Sequence, residues 1–74
     1  MTRICYLKIW TCGCPTWSAP TKSVAYAVAL AECMCDLDPD VIVEFFDAGK
    51  QYKLGHLFPG EALHVCPGVS FRED

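Results

Sequence analysis

Apolar and polar positions alternate with two different periods along this 74-residue chain. Over residues 21–36 the period is helical: at about 100° per residue, Val24, Ala27, Val28, Leu30, Ala31, Met34 and Cys35 gather on one side. Lys22, Ala25, Ala29, Glu32, Cys33 and Asp36 gather on the other. Thr21 follows Pro20 and offers a hydroxyl to cap the first turn. Pro39 biases Asp38 away from helical angles and ends the last turn. The pattern predicts one amphipathic helix with a thin polar face, laid across something flat.

Elsewhere the period is two. Residues 3–10 read as a strand, with Cys5, Leu7 and Ile9 on one face and Ile4, Tyr6, Lys8 and Trp10 on the other. Residues 11–20 read as a loop, because Pro15, Pro20, Gly13 and two cysteines break the period. After the helix, residues 36–40 turn the chain, and a second strand alternates Val41, Val43 and Phe45 with Ile42, Glu44 and Phe46. Residues 47–50 form a hairpin connection in which Gly49 is expected to take positive φ. Residues 51–57 return as a third strand, alternating Tyr52, Leu54 and His56 with Lys53, Gly55 and Leu57. Residues 61–66 fit either a short fourth strand or one helical turn, and residues 67–74 read as a tail.

The element order is therefore β-α-β-β with a short further strand. A strand, a crossover helix and a strand in one sheet run parallel, whereas the hairpin is antiparallel. The expected fold is α+β, a single domain over residues 1–74, with one helix on one face of a three- to four-stranded mixed sheet. If the helix covers Cys5, Leu7, Ile9, Val41, Val43, Phe45, Tyr52 and Leu54, the other face carries Ile4, Tyr6, Lys8, Trp10, Ile42, Glu44, Phe46, Lys53 and Leu57. That face is too apolar to be left to solvent without a reason. A homodimer or partner protein could cover it, with Tyr6, Trp10 and Phe46 as aromatic anchors. The C-terminal segment could fold back over it instead. A base-stacking platform is the third reading, and the flanking acidic charge weighs against it.

Composition narrows the class. A chain this short holds one small core. An apolar fraction of 53% is too high for disorder. No apolar run reaches the roughly 20 residues of a membrane span, and the first residues lack the apolar core of a signal peptide. The expected location is the cytoplasm. Six cysteines are then read as reduced thiols or metal ligands in preference to disulfides. The net charge of −3 is unevenly spread: residues 23–49 contain no Lys or Arg, yet hold Glu32, Asp36, Asp38, Asp40, Glu44 and Asp47. This disfavours direct nucleic-acid binding and favours a protein partner with a basic surface.

Candidate chemistry is sparse. Cys12-Gly13-Cys14 and His64-Val65-Cys66 could together supply a Cys3His set for zinc, though neither has the customary knuckle spacing. Cys33 and Cys35 cannot share an ion, because in a helix they point far apart. Cys35 belongs to the buried face and Cys33 to the outer one, beside Glu32 and Asp36. There is no C-x-x-C redox motif, glycine-rich phosphate loop or nucleophile elbow.

In size, in acidity and in the succession AYAVALAE then VIVEFF, the chain resembles small phage-encoded inhibitors of the anti-CRISPR type. The resemblance is one of pattern, over residues 3–57. It implies a non-enzymatic protein, acting in the host cytoplasm, that blocks a nucleic-acid-binding complex by occupying its basic surface. The expected function is accordingly a protein-binding module that uses Glu32, Asp36, Asp38, Asp40, Glu44 and Asp47 with Tyr6, Trp10 and Phe46. A small zinc protein built on Cys12, Cys14, His64 and Cys66 is the alternative, and a cysteine-dependent redox protein the third reading.

Overall fold

Residues 12 and 13 decide the topology. Cys12 (φ 53°) and Gly13 (φ 81°) both adopt positive φ, as the two central residues of a type I′ hairpin turn must. They join β1 (Tyr6–Thr11) to β2 (Cys14–Trp17), which pair antiparallel with Thr11 opposite Cys14 and Lys8 opposite Trp17. Residues 14–17, expected to be loop, are therefore a strand. Pro15 is tolerated because β2 lies at the edge of the sheet. The computed structural model describes residues 6–21 and 23–67. The N-terminal part of the expected first strand, Lys22 and the expected tail beyond Pro67 lie outside the described residues.

The hairpin reverses the chain before the helix begins. Helix α1 (Val24–Leu37) consequently crosses from β2 to β3 (Ile42–Phe46), and β3 lies antiparallel to β1 on its other side. β4 (Lys53–Leu57) pairs with β3, and β5 (His64–Val65) with β4. The sheet order is β2-β1-β3-β4-β5, and every pairing is antiparallel. The fold is α+β. Among the described residues, the expected mixed sheet of three to four strands is corrected to an antiparallel sheet of five, since the parallel relation falls between β2 and β3, which are not neighbours. Residues 64–65 resolve the alternative left open for residues 61–66 in favour of a strand.

The helix caps one residue pair later than expected. Ser23, not Thr21, is the N-cap: its Oγ accepts from the Tyr26 N–H at 3.1 Å, while Thr21 is buried. Asp38 leaves the helix in extended conformation, φ −139°, as a residue before proline should. Ala27, Ala31 and Cys35 are buried, with Val28, Leu30 and Met34 partly so, and pack on Leu7, Val41, Val43, Phe45, Leu54 and Leu57. The small alanine face lets the helix lie close to the sheet. Glu32, Cys33 and Asp36 face outward.

Two details of the β3–β4 hairpin depart from expectation. Lys50 (φ 59°), not Gly49, takes the left-handed conformation. Asp47 fixes the turn, its Oδ1 accepting from the N–H groups of Gln51 (2.9 Å) and Tyr52 (3.1 Å). The register then skips Leu54: Phe45 faces Gly55 and Phe46 faces Lys53. This bulge rotates the strand. Tyr52, expected in the core, is 69% exposed, and Leu57, expected on the open face, is 5% exposed. Gly55 is needed for β5 to approach, because a Cβ there would collide with the His64 carbonyl.

Candidate functional site

Three rows of side chains cross the open face of the sheet, and their register follows from the strand pairing. Trp17, Lys8, Glu44, His56 and His64 lie in one row; Tyr6, Phe46 and Lys53 lie in the next; Pro15, Trp10 and Ile42 lie in the third. Trp17 meets Tyr6 (centroids 6.3 Å) and Phe46 (5.1 Å) edge to face. His56 stacks on Phe58 at 4.3 Å and on His64 at 4.6 Å. Such pairings satisfy the ring quadrupoles and hold the cluster in place. Tyr6, Trp10 and Phe46 thus share this face as expected. Trp17 and the His56–Phe58–His64 stack were not legible, because the first belongs to a hairpin hidden by Pro15 and the second joins residues across β4 and β5.

Charge on this face is arranged around the rings. Lys8 Nζ sits 4.8 Å from the Trp10 ring centre and 5.5 Å from that of Trp17. Lys50 Nζ lies 4.6 Å from Tyr6 and 5.0 Å from Trp17. Glu44 accepts from Trp10 Nε1 at 2.6 Å and pairs with Lys53 at 3.2 Å. Partial burial pushes its carboxyl up, but the indole N–H, Lys53 and Lys8 together outweigh this and hold it below its ordinary value. Glu44 is therefore an internal tie of the sheet face.

The remaining acidic residues separate. Asp47 is bound up in the hairpin turn, its carboxyl held below the usual range by the Tyr52 and Gln51 N–H groups. Glu32 and Asp36 line a groove of about 390 Å3 between α1 and the β4–β5 connection, together with Cys35, Leu57, Phe58, Gly60 and Glu61. A second groove, of about 300 Å3, opens on the sheet face between Trp10, Gly13, Asp40, Ile42, Glu44 and Phe58. Phe58 lines both grooves. Asp38 is half-buried, and one of its carboxylate oxygens accepts from the Asp40 N–H at 3.0 Å. Glu61 joins this site only through the long-range course of the chain, which no local pattern announces.

The helix end adds an electrostatic point. The C-terminus of a helix carries partial negative charge and is stabilised by cations. Here the last turn holds no basic residue, and Asp36 lies within it. The acidic groove is thus set against the local dipole.

The cysteine and histidine residues do not converge. Cys12 lies in the turn at the β2 edge and Cys14 opens β2, whereas His64 and Cys66 lie at the β5 edge. Four strand spacings of about 4.8 Å separate these edges, against metal–ligand bonds of about 2.0–2.3 Å. The proposed Cys3His set is not one site within a single chain, and no group of three or more His, Cys, Asp or Glu among the described residues is placed to hold a metal ion. Cys12, Cys14, Cys33, Cys35 and Cys66 are free thiols. Cys35 is buried against the Val41 and Leu57 carbonyls; burial, with Asp36 adding, pushes its thiol up and away from reactivity. Among the described residues no helix is long and apolar enough to cross a membrane. No family model, curated protein or solved structure matches the chain.

Proposed function

We propose that the chain is a non-enzymatic protein-binding module that receives a basic segment of its partner across the Phe58 end of the sheet. The observation that carries this reading is a pair of grooves, each lined by Phe58 and by acidic side chains. On the helix side, Glu32, Asp36 and Glu61 surround a floor of Leu57 and Phe58. A lysine or arginine side chain fits that chemistry, its aliphatic stem on the floor and its charged head among the carboxylates. On the sheet side, Trp10 and Ile42 offer apolar contact, with Asp40 at the margin. A partner cation would also relieve the unfavourable charge at the C-terminus of α1. Where the basic segment belongs to a nucleic-acid-binding surface, occupancy would inhibit it, which is the action implied by the resemblance to phage-encoded inhibitors.

An arginine-rich peptide provides the probe. Its affinity, measured by fluorescence anisotropy, should fall steeply as salt rises. It should weaken by about tenfold or more, equivalent to 1.4 kcal/mol, in a variant carrying Glu32→Lys, Asp36→Lys and Glu61→Lys. Binding that ignores salt, or survives this charge reversal, would sink the proposal.

A further inference from the structure

We infer that the other end of the open face, built from Trp17, Tyr6, Phe46, Lys8 and Lys50, binds single-stranded nucleic acid. The net charge of the chain argues the other way, but the fold separates the charges. Every described cationic side chain, Lys8, Lys50 and Lys53, belongs to this face or to the hairpin at its end. Glu44, the carboxylate within the rows, is already engaged by the Trp10 indole and Lys53. The carboxylate oxygen of Asp47 turns into its own hairpin backbone. Set against Glu44 and Asp47, these three lysines leave the surface with one positive charge in excess although the molecule is acidic.

The rings supply the second half of the argument. Tyr6, Trp17 and Phe46 come from three adjacent strands and form a ring cluster with centroid spacings of 6.3 and 5.1 Å. Trp17 is 36% exposed, and the ammonium groups of both Lys8 and Lys50 lie over its ring. An exposed cation–π contact is weaker than the stacking of a base on the same ring. A base can displace the ammonium from the ring, and the flexible lysine stem then carries the charge a few ångströms to the adjoining phosphate. Lys50, whose backbone takes a left-handed conformation that a lysine rarely adopts, places its ammonium group over Tyr6 and Trp17. Rings with mobile cations above them fit an unpaired strand. A duplex hides its base faces and could use only the charge.

The test is a titration with an oligothymidylate of about twelve nucleotides, within the range that one small domain covers, and with its uridylate counterpart. Binding of either should quench the fluorescence of Trp10 and Trp17. The logarithm of affinity should fall with the logarithm of salt with a slope of about −1.4, as for two phosphates neutralised on a single strand by Lys8 and Lys50. Lys8→Gln combined with Lys50→Gln should weaken binding by about tenfold or more, as should Trp17→Ala, with unchanged far-UV circular dichroism. Trp17→Phe should restore most of the affinity lost in Trp17→Ala. Glu32→Lys and Glu61→Lys, which address the Phe58 grooves, should not weaken it, so the two proposals fail separately. Absence of quenching at low salt would overturn the inference. So would equal binding of inorganic polyphosphate, which shows charge without stacking, or a dimer in light scattering that buries Trp17 and does not open to oligonucleotide.

Discussion

His56 shows how one side chain on the sheet links packing to protonation. Its ring lies between Phe58 and His64, and its Nδ1 is buried without a hydrogen-bond partner among the described residues. Burial, then the charges of Lys53 and His64, hold its imidazole below the ordinary value against the pull of Glu44 and Glu61. The neutral ring is the one the fold prefers. Below the ordinary pKa of 6.5 the unfolded chain binds the proton more readily than the folded one. Stability should therefore fall as pH drops from that value through the lowered folded value. Glu44, also depressed, adds a separate loss at lower pH, as its carboxyl protonates below the ordinary 4.5. Urea denaturation across pH should show both limbs, and His56→Phe should remove the upper one while keeping the stack. An upper limb unchanged in that variant would mean another group is responsible.

At the scale of elements, the helix and its sequence tell the same story almost throughout. Its buried face was legible because alanines, Val28, Leu30, Met34 and Cys35 fall on one side by period alone. Its start was not, since Thr21 and Ser23 are both good caps and only the path of residues 18–23 selects between them. Strand direction was less legible. Pro15 masked β2, and Cys12-Gly13 did not announce a hairpin as an asparagine–glycine pair would. One missed turn inverted the relation of β1 to β3. The bulge at Leu54 had a similar effect on a smaller scale, exchanging Tyr52 for Leu57 as the core residue. The candidate site was half legible: Glu32, Asp36 and Asp40 came from the charge pattern, whereas Glu61, Phe58 and Trp17 depend on contacts between distant elements. The helix also separates stability from binding. Asp36→Lys replaces an unfavourable charge in the last turn with a favourable one, and should stabilise the protein by about 0.3–1 kcal/mol. The same change should weaken the arginine-rich peptide. A thermal melt and a binding titration on this variant should move in opposite directions; a loss in both would show that Asp36 serves the fold.

The whole molecule has two unlike sides, an acidic one around the helix end and an aromatic, lysine-bearing one on the open sheet. Its core is small, with Phe45, Leu7 and Val43 the largest fully buried side chains among the described residues. A core of this size leaves a narrow margin of stability. The strand order has a consequence for how such a chain comes together. β1 with β2, and β3 with β4, are local hairpins that can close quickly. The β1–β3 seam, by contrast, joins residues such as Lys8 and Glu44 from opposite sides of the helix, and loop closure must be met before that contact is rewarded. Folding should then be limited by docking of two preformed hairpins along this seam. Val43→Ala, in the seam, should slow refolding in stopped-flow measurements, whereas Val65→Ala, in the last-paired strand, should chiefly speed unfolding. During synthesis the first hairpin would emerge with one side of β1 still unpaired. Until β3 leaves the ribosome, the middle of the finished sheet is an open edge.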